Sequence, residues 1–164
     1  MGKTHFDQVS GINGLYVGKR GAEIQAVSPT GLLYETGSLV HAMKKVTGAL
    51  AAADTGGGIF SWQNPEAGPI IVQHVALVVT TKTTGACSAD VGTTATSATT
   101  SSDNLIDGKD INAAVGTFTN LESAGTNGKA GQRLASGKWV TGSMVAGGAT
   151  AGLVGTYEIY YTVL

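Results

Sequence analysis

The eleven residues from Val154 to Leu164 (VGTYEIYYTVL) alternate along their length, with Tyr157, Ile159, Tyr161 and Val163 on one side and Thr156, Glu158, Tyr160 and Thr162 on the other. A period of two marks a half-buried β-strand and predicts that this end of the chain is built into a sheet. Ile70 to Thr81 (IIVQHVALVVTT) is apolar on both faces almost throughout, the pattern of a central strand that anchors a fold. Shorter strands are expected at Ile59 to Gln63, Cys87 to Val91, Val115 to Leu121, Gln132 to Ala135, Trp139 to Val145 and Leu153 to Val163. Glycine, proline and asparagine punctuate them at Asp54 to Gly58, Asn64 to Pro69, Gly125 to Gly128, Ser136-Gly137 and Gly147-Gly148.

Two stretches are ambiguous. From Ser38 to Ala53, Leu39, Val40, Met43, Val46 and Leu50 fall at helical spacing, but Thr47-Gly48 interrupts a good helix; we favour a strand, with a helical turn as the alternative. Asp103 to Ile111 reads as a helical turn capped by Asp103 and ending near Gly108. The Thr93 to Ser102 tract (TTATSATTSS) has no large apolar residue and reads as a solvated loop.

About eight strands with no βαβ alternation predict an all-β fold, an antiparallel sandwich of jelly-roll type over residues 39–164, with an immunoglobulin-like sandwich as the runner-up. Residues 1–38 differ. Gly11, Gly14, Gly18, Gly21, Pro29, Gly31 and Gly37 separate short apolar pieces that can make short strands but carry too little apolar material for a core. This segment is expected to be an extended N-terminal arm or edge, packed on its own domain or on a neighbouring copy. Aromatic and arginine side chains supply most contact energy at interfaces. Tyr16, Lys19, Arg20, Leu32, Leu33 and Tyr34 are therefore its candidate partner-binding residues.

Composition narrows the function. Among 164 residues only 13% are charged, against about 25% in an ordinary globular chain, and the formal net charge is -1. Such a surface lets subunits pack at little electrostatic cost. It offers no basic stripe for nucleic acid, and no apolar run reaches the length of a membrane span. The start, MGKTHFD, lacks the apolar core of a secretory signal, and the lone Cys87 cannot form an intramolecular disulfide, so folding in a cytoplasm is expected.

No residue constellation points to catalysis or to a cofactor. His5, His41 and His74 have no metal-ligand spacing, and His74, within the strongest strand, is expected to be a hydrogen-bonded interior or groove residue. Asp103, Asn104, Asp107 and Asp110 bring oxygen ligands together, but the calcium-loop pattern is broken and a capped turn explains them better. Cys87, with no cationic neighbour in sequence, reads as a structural thiol, and Trp62 and Trp139 as core residues.

The runs SWQNPEAGPIIVQHVALVVTT (Ser61 to Thr81), SSDNLIDGKDINAAVGTFTN (Ser101 to Asn120) and GQRLASGKWVTGSMVAGGATAGLVGTYEIYYTVL (Gly131 to Leu164) resemble small structural proteins of tailed-bacteriophage virions. Among these, the chain is similar to small β-rich, glycine-rich head decoration proteins. That resemblance implies a non-enzymatic cement protein on the outer surface of the head, made in the host cytoplasm. Its partners would be the major capsid protein and copies of itself, as a homotrimer at local threefold points. A receptor- or glycan-binding module of a tail tip or fibre is the alternative.

Overall fold

The structure, a computed structural model, describes residues 26–27, 32–35, 38–41, 43–51, 58–97, 102–122, 124–145 and 151–164. The chain divides into two compact units, Met1–Ala42 and Met43–Leu164. No helix occurs among the described residues.

In the first unit, β1 (Ala26–Val27), β2 (Leu32–Glu35) and β3 (Ser38–His41) make a three-stranded antiparallel sheet in the order β1-β2-β3. The segment expected as an arm or edge thus carries, where described, a meander of very short strands.

Among the described residues, the second unit is an antiparallel β-sandwich of nine strands. They are β4 (Lys44–Ala49), β5 (Gly58–Gln63), β6 (Ile70–Thr81), β7 (Ser88–Thr94), β8 (Ile106–Asp110), β9 (Gly116–Thr119), β10 (Gln132–Leu134), β11 (Trp139–Val145) and β12 (Val154–Val163). One sheet runs β10-β6-β12-β4, with β9 on the same edge of β6 as β10; the other runs β5-β11-β7-β8. The pairing is nested: β4 with β12, β5 with β11, β6 with β9 and β10, and β7 with β8.

The apolar alternation decides which face each strand buries. Val75, Leu77 and Val79 of β6, Ile159 and Tyr161 of β12, Ala89 and Val91 of β7, and Val140 and Met144 of β11 meet in one core. Complete burial of a Val, Leu or Ile side chain stabilises by about 1.5–3 kcal/mol, so this inter-sheet layer is the main source of stability. The predicted inward set of β12 is found as expected: Ile159 and Tyr161 are buried, and Tyr157 and Val163 pack against the core. Ser38 to Ala53 resolves into strands at β3 and β4, with no helical turn between Lys44 and Ala49.

The helical turn expected over Asp103 to Ile111 is not formed. Leu105, Ile106 and Ile111 are all completely buried, and the segment pairs with β7 as an edge strand; burial against a sheet overrides the local capping signal. The start of the Thr/Ser tract is likewise strand, because Thr93 and Thr94 extend β7 opposite Val140 and Trp139.

Two bulges shape β6 where it meets β12. Tyr160 pairs with His74 and Tyr161 with Val72, so Gln73 is left over. Beside it, Asn120 fills the gap between β9 and β10: its side chain accepts from the Val75 amide at 2.8 Å and donates to the carbonyls of Gln73 and Lys129 at 3.3 and 3.4 Å.

Candidate functional site

Of the six residues expected to bind a partner, Tyr16, Lys19 and Arg20 lie outside the described residues. Leu32, Leu33 and Tyr34 fall on β2, the middle strand of its sheet, opposite His41, Val40 and Leu39 on one side; Leu33 and Tyr34 also oppose Val27 and Ala26 on the other. The structure therefore brings these three onto one strand.

On the sandwich, the outward face of the β6-β12-β4 sheet is built from Lys45, Thr47 and Ala49 of β4, Thr156, Glu158 and Tyr160 of β12, and His74, Ala76 and Val78 of β6. Small and hydroxyl side chains dominate. Its charges close on each other: Lys45 Nζ donates to Glu158 Oε1 at 2.7 Å, and Tyr160 OH donates to Glu158 Oε2 at 2.8 Å. The hydrogen bond to Glu158, then that with Tyr160, holds the Lys45 ammonium above its usual range. Hydrogen bonds from Lys45 first, then from Tyr160, hold the Glu158 carboxyl below its own. Lys45, Tyr160 and His74 lie in one cross-strand row. The ammonium sits 5.3 Å from the tyrosine ring centre, and the two rings stack at 5.2 Å and 14°.

His74 departs from expectation. It is half-buried, but its Nε2 is shut off from solvent and among the described residues has no hydrogen-bond partner; its ring stacks on Tyr160.

A second polar cluster sits where β4, β12 and the loop after β5 converge. Glu66 Oε1 accepts from Lys44 Nζ at 2.8 Å and from Tyr161 OH at 2.9 Å. The Lys44 hydrogen bond, against opposing burial and with help from Tyr161, keeps the Glu66 carboxyl below the usual carboxylate range. Burial, followed by the Glu66 carboxylate, pushes the Tyr161 phenol up to about 12. The buried Asn64 locks the loop by donating to the carbonyls of Gly68 and Ala135 at 3.1 Å each and accepting from the Glu66 amide at 3.0 Å. These are structural bonds, and the tilted Trp62–Tyr161 ring pair at 5.2 Å closes the cluster.

Asp103 accepts from the Asn127 side chain, and the other acidic residues here accept from backbone. Asp107 Oδ2 accepts from the amides of Thr126 and Asn127, Asp110 Oδ1 from those of Asn112 and Ala113, and Asp90 Oδ1 from Gly108. Gly125, at φ 72°, lies against the Asp107 carbonyl where a Cβ would collide with it, which lets the loop lie flat on β8. Among the described residues, no group of three or more His, Cys, Asp or Glu is placed to hold a metal ion. Cys87 is buried, and burial raises its thiol pKa, in keeping with a structural thiol.

Trp62 packs against the core as expected, but Trp139 does not. Its neighbour Val140 is completely buried inside, so alternation turns Trp139 outward, half-exposed, opposite Gln63 and Thr94.

Two features were not visible in the sequence. One is a cavity of about 340 Å³ at the side of the sandwich, lined, among the described residues, by Ala49, Ala51, Gly58, Ile59, Phe60, Ser61, Ser97 and Tyr157. The other is the edge of β4, which among the described residues pairs with β12 alone. Strand-edge exposure depends on neighbour order, and no local pattern encodes it.

No protein-family model matches the chain, and no curated protein or solved structure matches it either.

Proposed function

We propose that the chain is a non-enzymatic structural protein of a tailed-phage virion, a decoration protein that sits on the outside of the head and holds neighbouring major capsid subunits together. The observation that carries this reading is the outward face of the β6-β12-β4 sheet. Small and hydroxyl side chains dominate it, beside His74 and Val78, and its Lys45–Glu158 pair neutralises itself, so pressing it against another protein strands neither member of that pair. The nested strand pairing supports a jelly-roll winding, an architecture suited to rigid shell-associated domains. The runs that resemble virion proteins span β6, β8 to β12 and half of β5. Copies would assemble as a homotrimer on the shell.

Mixing purified protein with expanded shells that lack it tests the reading. Co-sedimentation at stoichiometric occupancy, with density at threefold points in a cryo-EM map, is expected; folded protein that stays in the supernatant refutes it.

The half-exposed Trp139 beside Gln63 and Thr94 favours a second reading, a glycan-binding module of a tail tip or fibre. Host-surface glycans would then quench tryptophan fluorescence in the native protein and not in Trp139→Phe.

A further inference from the structure

A second cavity, of about 250 Å³, lies where the ends of β7, β10 and β11 meet. Arg133 and Lys138 bring two cations to it, Thr93 and Thr94 two hydroxyls, and the buried Leu134 an apolar wall. Lys44 and Lys45 are tied to carboxylates of the same chain, whereas among the described residues Arg133 and Lys138 make no ion pair and no carboxylate lines their cavity. The two hydroxyls are not equivalent. Thr94 Oγ1 donates to the Thr96 carbonyl at 2.7 Å, so its proton is used. Thr93 Oγ1 accepts from Asn104 Nδ2 at 2.8 Å while Asn104 Oδ1 accepts from the Thr93 amide at 2.9 Å, which clamps the residue and leaves its hydroxyl proton to be given elsewhere. One hydroxyl donor and two cations thus border a single cavity.

The frame around them is held at each position. Residues 135–138 connect β10 to β11, and Asn64 pins both ends: its side chain donates to the Ala135 carbonyl at 3.1 Å and its amide to the Lys138 carbonyl at 2.8 Å. Between them, Ser136 Oγ donates to the Glu66 carbonyl at 2.8 Å and Gln63 Nε2 to the Gly137 carbonyl at 3.0 Å. Arg133 is fixed in β10 opposite Ile71. A site whose backbone is already in place loses little entropy when it fills.

We propose that this cavity binds the carboxylate of an acidic sugar, with Arg133 and Lys138 holding the charge and the Thr93 hydroxyl donating to a carboxylate oxygen. A guanidinium is a planar fork that matches the two oxygens of a carboxylate. Trp139 selects a sugar over a bare anion. It follows Lys138 directly and pairs with Thr94 across the strands, so the half-exposed ring and the Thr94 side chain stand on one face beside the cavity, where the ring offers a platform to the apolar side of a hexose. The proposal rests on the glycan-binding reading and names its class of ligand.

Isothermal titration of the purified full chain with glucuronate, N-acetylneuraminate, glucose and inorganic phosphate, with tryptophan fluorescence read in parallel, tests it. At least one of the two acidic sugars is expected to bind and to quench the native protein, with glucose weaker by about tenfold or more. Arg133→Gln and Lys138→Gln, both at exposed positions, should each weaken that binding about tenfold or more with the melting temperature unchanged, and Trp139→Phe should abolish the quench. Failure of both acidic sugars to bind, binding that survives in both glutamine variants, or phosphate bound as tightly as the sugar overturns the proposal. If neutral host-surface glycans quench the native protein while neither acidic sugar binds, the acidic ligand is refuted and the glycan-binding reading stands. If no glycan of either kind binds, both fall.

Discussion

Asn120 and Val75 hold each other twice: the Val75 amide donates to Asn120 Oδ1 at 2.8 Å, and the Asn120 amide donates to the Val75 carbonyl at 3.2 Å. One side chain thereby substitutes for a missing residue of ladder, at the point where β9 has ended, β10 has not begun, and the bulge at Gln73 leaves carbonyls pointing at no strand. Asn120 is 3% exposed, so water cannot take over its bonds. Asn120→Ala would strand the Val75 amide and the Gln73 and Lys129 carbonyls. A loss of about 2–4 kcal/mol in urea unfolding is expected. Asn120→Asp should recover only part of this, because a carboxylate accepts from Val75 but cannot donate.

Gly48 and Tyr157 are direct cross-strand partners, and the tyrosine ring lies where a Cβ on residue 48 would be. The ring's position is further fixed by stacking on Phe60, at 4.3 Å and 18°. Gly48→Ala is expected to cost about 1–3 kcal/mol by overpacking, despite the better strand propensity of alanine. In a Tyr157→Ala background the same change should cost far less, and a double-mutant cycle by chemical denaturation measures the difference.

The pH dependence of stability should carry the mark of the Glu66 cluster. Glu66 has a folded pKa below its ordinary 4.5, so its contribution is fully present above that value and is lost as pH falls through the depressed folded pKa. Tyr161 is raised from 10.0 to about 12, so its contribution is present below pH 10 and is lost as pH rises towards 12. Thermal melts across both windows are expected to show these two limbs. Glu66→Gln should flatten the acid limb, and Tyr161→Phe the alkaline one.

The legible part of the fold is the part with strong period-two or doubly apolar patterning. Ile70–Thr81 and Trp139–Val145 appear with the bounds the pattern predicts, because burial on both sides leaves the backbone no alternative. Asp103 to Ile111 reads as a capped turn because a capping aspartate is a local signal, whereas Leu105 and Ile106 are held by a distant strand, β7. Trp139 was misplaced for a related reason: size and apolarity suggest the core, but parity with the buried Val140 decides, and parity needs an anchor. Asn120 and the β4 edge have no local signature, since each is defined by what strands far away in sequence do or do not offer.

β12 lies between β6 and β4 and pairs with β6 from Val154 to Val163 and with β4 from Thr156 to Tyr161. Ending the chain at Gly152 would remove both ladders and the inward faces of Ile159 and Tyr161 at once. No cooperative thermal transition is expected from that truncation, and a soluble product with one would show that the remaining strands close without β12.

Deleting residues 1–42 separates stability from binding. Among the described residues, the core of the sandwich falls within Met43–Leu164, and the strands of that unit pair with one another. The first unit, by contrast, holds the proposed anchors Tyr16, Lys19, Arg20, Leu32, Leu33 and Tyr34. Its described strands are only 2 to 4 residues long, and the proposed role for them is recognition. The shortened protein is expected to melt within a few degrees of the native one and to lose binding to expanded shells. A melting temperature lowered by about 10 °C or more with shell binding intact would instead make residues 1–42 a stabilising part of the sandwich. The co-sedimentation assay and a thermal scan on the same preparation distinguish the two, since each outcome moves one readout and leaves the other in place.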